Sequence, residues 1–120
     1  MWSEIVKKLN TSEPRVKAVR FGDGHLPKPP YCVVKQERDT GGRGTAFRII
    51  AHYKPGQQIY LQDYIRDTVG TALNGFTATN RHGNINKLYQ DSEAIPVEIS
   101  VVNDDGTISM ERLYWMPDRN

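Results

Sequence analysis

The sequence predicts an α+β fold: a small, mostly antiparallel sheet of two hairpins, packed by an amphipathic helix and preceded by a short N-terminal helix. Three observations carry this expectation. Residues 31–34 (Tyr-Cys-Val-Val) and 46–53 (Ala-Phe-Arg-Ile-Ile-Ala-His-Tyr) are β-rich runs around the glycine-rich Arg38-Asp39-Thr40-Gly41-Gly42-Arg43-Gly44, the composition of two strands joined by a loop. Leu61, Tyr64, Ile65, Val69, Ala72 and Leu73 fall at i, i+3, i+4, i+8, i+11 and i+12, one apolar stripe down a helix that Asn74-Gly75 stops. Val97, Ile99 and Val101 alternate before the turn residues Asn103-Asp104-Asp105-Gly106, and Ile108, Met110, Arg112, Tyr114 and Met116 alternate after them.

The remaining segments fit around that core. Trp2, Ile5, Val6 and Leu9 share one face of a short helix that Thr11-Ser12-Glu13-Pro14 ends. Val16, Val19 and Phe21 suit either a further helical turn or a short extended piece. Gly22-Asp23-Gly24 is a turn, and Leu26-Pro27-Lys28-Pro29-Pro30 is a stiff strap leading into the first core strand, because proline fixes φ and restricts its predecessor. Residues 76–90 are mostly polar and are expected to form a long loop, with one turn around Lys87-Leu88-Tyr89. Leu113 and Trp115 fall on the face of the last strand opposite Tyr114 and Met116. An apolar pair there implies either a partner or a bulge that shifts the register.

The chain is 120 residues long and is expected to form a single domain over residues 1–120. It is polar for its size, with 38% hydrophobic residues and a mean hydropathy of −0.62, which fits a heavily solvated surface or stability drawn from other subunits. Sixteen basic and 14 acidic residues leave a net charge of +2, too balanced for a dedicated duplex-binding domain. Cys32 is the single cysteine and cannot form an intrachain disulfide. The first residues lack an apolar signal core, and no apolar run approaches the ~20 residues that span a bilayer. The expectation is a soluble protein made in the cytosol, without a membrane partner.

Candidate chemistry is sparse. Asp39-Thr40-Gly41 matches the aspartic-protease tripeptide, but Glu37-Arg38 before it and Gly42 after it read as a solvated turn. The glycine cluster lacks the Gly-Lys-Ser/Thr ending of a phosphate loop. His25, His52 and His82 have no metal-ligand spacing. Cys32 and His52 on neighbouring strands are the one conceivable nucleophile pair, against which stands the apolar run around the thiol. The sequence therefore argues for no enzyme, no cofactor and no metal. Arg38, Arg43, Arg81 and Lys87 would serve the reading from a different class, a small nucleic-acid-binding regulator.

Pro30-Tyr31-Cys32-Val33-Val34, residues 47–53 (Phe-Arg-Ile-Ile-Ala-His-Tyr), the helix from Leu61 to Leu73 and the ending Leu113-Tyr114-Trp115-Met116 follow one another in an order that resembles a known family. It is similar to the tail-terminator (tail-completion) proteins of long-tailed bacteriophages. The likeness covers most of the chain as a pattern of elements and rests on no signature motif. It implies a virion structural protein of the neck, made in the host cytoplasm, that forms a ring homo-oligomer, a hexamer. Such a ring caps the tail tube protein, meets the head-completion or connector protein, and lets DNA pass through its lumen without sequence-specific binding. Another neck or connector ring component is the neighbouring alternative. A closed ring needs two different sticky patches on each subunit. The expected places are Leu113 and Trp115 for one and the 38–45 loop with Arg43 for the other, with Arg43 and Arg81 facing the lumen or the DNA.

Overall fold

A computed structural model describes residues 2–38, 44–80, 82–90 and 101–118. Helix α1 spans Trp2–Ser12, with Ile5 and Leu9 fully buried and Trp2 and Val6 packed at the margin of the core. Its polar side chains do specific work. The Trp2 indole N–H donates to the Val34 carbonyl at 2.7 Å, and the Asn10 side chain brackets Ala18 by accepting from its N–H (2.9 Å) and donating to its carbonyl (3.0 Å). Asn10 thereby satisfies backbone groups on strand β1 (Lys17–Arg20), which forms one edge of the sheet.

The undecided segment after α1 is therefore strand, and it runs parallel to β2 (Tyr31–Arg38) from Lys17↔Tyr31 to Arg20↔Val34. Strand β3 (Gly44–Tyr53) pairs antiparallel with β2, and β8 (Ile108–Pro117) pairs antiparallel with β3. The described strands form one six-stranded sheet in the order β1-β2-β3-β8-β6, with β6 (Tyr89–Gln90) and β7 (Val101–Val102) both lying against β8. The β3–β8 register is unbroken from Gly44↔Pro117 to Tyr53↔Ile108, so no bulge explains the two apolar faces of the last strand. Gly44 is required at its place: its φ is +153° and a Cβ would fall on the Met116 carbonyl. Of the second hairpin, β7 and β8 are in place, while Val97 and Ile99 lie outside the described residues.

The core helix runs without a break through α2 (Gln58–Asp63), a π-helical turn (Tyr64–Val69) and α3 (Gly70–Leu73). Leu61, Ile65, Val69 and Leu73, each four residues after the last, are all fully buried. In a regular α-helix each such step rotates the stripe by about 40°. The wider π turn reduces that rotation and keeps all four on the sheet. They meet Cys32, Val34, Phe47, Ile49, Ala51, Met110, Tyr114 and Met116 in one apolar layer between helices and sheet. Tyr114 closes this layer by donating its hydroxyl to Asn74 Oδ1 at 2.9 Å.

Residues 76–90 depart from the expected loop. Strands β4 (Thr77–Thr79) and β5 (Ile85–Lys87) pair as a separate two-stranded sheet. Buried Asn80 organises the connection: its Oδ1 accepts from the N–H groups of His82 and Asn84, and its Nδ2 donates to the carbonyls of Pro117 and Asp118, each at 3.0 Å. Glu4 accepts from the Thr79 N–H at 2.9 Å and ties the hairpin to α1.

Candidate interaction surface

All helices pack on one face of the main sheet, so the other face presents every second residue of each strand outward. The register arranges these residues in rows. Lys17, Tyr31, His52, Ser109 and Val101 form the first, Val19, Val33, Ile50 and Glu111 the second, Lys35, Arg48 and Leu113 the third, and Glu37, Ala46, Trp115 and Tyr89 the last.

Charge sits in the middle of this face. Arg48 Nη2 lies 3.0 Å from Glu37 Oε1 and its Nη1 reaches Glu111, while Lys35 stands 3.6 Å from Glu37. Partial burial works against the guanidinium charge, but the two carboxylates outweigh it and hold the Arg48 pKa above its ordinary value. The belt is half-exposed, so its contribution to stability is small and screened by salt.

Apolar groups collect at both ends. At the end where Gly44 meets Pro117, Trp115 stacks on Tyr89 with ring centroids 4.8 Å apart, beside half-buried Leu113 and buried Ala46. The other end holds a groove of about 520 Å³ with a floor of Tyr31, Val33, Ile50 and His52. Residues 21–26, the turn that precedes the strap and its first residue, wall one side and Asn103–Asp105 the other; Phe21 and Leu26 are 55% and 58% exposed. Tyr31 stacks on His52 at 4.7 Å, and His52 is held from the turn. His52 Nδ1 is 3.3 Å from Thr107 Oγ1, whose hydroxyl donates to Asp105 at 2.7 Å. Burial lowers the His52 pKa, partly offset by the Asp105 carboxylate, while burial and that same carboxylate raise the Tyr31 phenol. The Thr107 hydroxyl and N–H hold the Asp105 carboxyl below its usual range.

No family model, curated protein or solved structure matches this chain.

The geometry itself judges the sequence-predicted residues. Cys32 pairs with Ala51, so its thiol points to the helix side while His52 points to the outer face; the two are not brought together. Burial among apolar groups pushes the thiol up to about 12, leaving Cys32 a small hydrophobe beside Tyr64. Leu113 and Trp115 stand on the outer face as expected. Trp115 lies across Ala46, one position from the Thr45↔Arg38 pair, so Arg38 and Thr45, which flank the 38–45 loop, stand at the same end of the sheet as Leu113 and Trp115, while residues 39–43 lie outside the described residues. Arg43 and Arg81 lie outside the described residues; Arg38 and Lys87 are exposed. Among the described residues no cluster of three or more His, Cys, Asp or Glu side chains is arranged to hold a metal.

The sequence reading missed the groove because its lining comes from four separated segments, 19–26, 31–33, 50–52 and 103–105. Local signals were present in the two glycine-bearing turns and in the histidine placed opposite a tyrosine, but only the strand register unites them.

Proposed function

We propose that this chain is the tail-terminator subunit of a long-tailed phage, forming a six-membered ring that stops the tail tube and offers the surface on which the head docks. The observation that carries this reading is the pair of distinct apolar patches at opposite ends of one sheet face, Trp115 with Tyr89 and Leu113 at one and the Phe21–Leu26 groove at the other. Repeated head-to-tail contact between unlike patches closes a ring when the rotation per subunit divides the circle. Helices cover the opposite face, which leaves the outer face for neighbours.

The reading is tested on unterminated tail tubes. Added chain should arrest their growth and make them competent to join filled heads, and Leu113→Asp combined with Trp115→Ser should abolish both effects. Tubes that keep growing in the presence of the folded chain would contradict the assignment.

A further inference from the structure

We propose that the groove of one subunit receives the β2–β3 hairpin end of the next subunit, so that the ring closes head to tail through a basic tip in an acid-rimmed, apolar slot. This rests on the ring reading and names the contact that would build it.

The groove has the chemistry of a docking slot. Its floor is the stacked Tyr31–His52 pair with Val33 and Ile50, and exposed Phe21 and Leu26 stand over it. Asp23, Asp104 and Asp105 border it. Arg20 also borders it with its guanidinium 4.5 Å over the Trp2 ring, Lys35 Nζ stands 5.0 Å over the Phe21 ring, and His25, His52 and Tyr31 are the other titratable groups present, so three carboxylates face two cations. The surplus at the rim is acidic. The hairpin end has the complementary sign, since residues 38–44 read Arg-Asp-Thr-Gly-Gly-Arg-Gly, two arginines against one aspartate.

Charge complementarity argues for a second copy as the occupant, and placement is consistent with it. Tyr31 and His52 lie at one end of the β2–β3 ladder and Arg38 and Thr45 at the other. Seven residue steps of strand separate them by about 24 Å. Arg38 and Thr45 therefore stand far from the groove of their own molecule, and a contact between the two ends of the ladder joins two molecules. Tip and groove are different surfaces, which makes the contact heterologous, as a ring demands.

The experiment is charge reversal read by sedimentation across a concentration series. Asp23→Lys with Asp104→Lys spares Asp105, which holds Thr107, and Arg38→Glu with Arg43→Glu changes the tip alone. Each double variant should weaken self-association by about tenfold or more. An equimolar mixture should associate like the unaltered chain, because every contact in an alternating ring again joins opposite signs. Thermal melts check that each variant is folded. Folded variants that associate like the unaltered chain, or a mixture that fails to recover, would overturn the tip-in-groove contact and leave the ring standing. An unaltered chain that stays monomeric at every concentration would remove both. Charge-sensitive association without any effect on tail tubes would keep the contact and remove the terminator assignment.

Discussion

The side-chain amide of Asn80 is bonded at both ends, accepting from two N–H groups of its own loop and donating to two carbonyls at the end of the last strand. It is 3% exposed, so these groups have little water to turn to when the amide is removed. Asn80→Ala should cost about 2–3 kcal/mol in urea unfolding, and a loss below about 0.5 kcal/mol would contradict the anchoring role. In the sequence Asn80 is one polar residue among many, and nothing near it announces partners at residues 117 and 118. Cys32 and His52 make the converse case: adjacent strands were legible, but only the pairing of Cys32 with Ala51 puts the two side chains on opposite faces. Residue roles were the least legible level, since they depend on registers that alternation alone does not fix.

Elements were read more fully. Apolar spacing located α1, the core helix, the β2–β3 hairpin and β8, because each keeps one face against a common core. Strand β1 was ambiguous, being four residues long and held by a tryptophan-bearing helix through Asn10 rather than by its own pattern. The small β4–β5 hairpin was hidden because its strands are three residues each and mostly polar. The π turn left a trace in four successive apolar residues at i+4, which a straight α-helix cannot keep on one line. At the end of that turn Gly70 makes room for Arg112, whose Nη1 would lie 2.8 Å from a Cβ placed there. Gly70 has ordinary helical φ and ψ, so alanine would otherwise gain about 1 kcal/mol of helix propensity. Gly70→Ala should therefore stabilise the unaltered chain less than an Arg112→Met background, because in the unaltered chain the end of the Arg112 side chain must first shift, whereas in the variant the guanidinium and its unpartnered buried Nε are gone. Equal effects in both backgrounds, measured as a double-mutant cycle, would deny the coupling.

At the scale of the whole molecule, the sheet separates two tasks. Its inner face with the helices holds the core, and its outer face divides into an aromatic end, a charged belt and a groove. The α+β class was legible because both periodicities recur along the chain; the outer face was not, because it exists only when distant strands lie side by side. Assembly is the property this division suits, and it is the central claim. The most direct test is the mass of the purified chain by light scattering over a concentration series, with the 260/280 nm absorbance ratio taken on the same peak. The account predicts one discrete species near six times the 13.7 kDa of the chain and free of nucleic acid. A single 13.7 kDa species over the whole series, or one that carries nucleic acid, would contradict it.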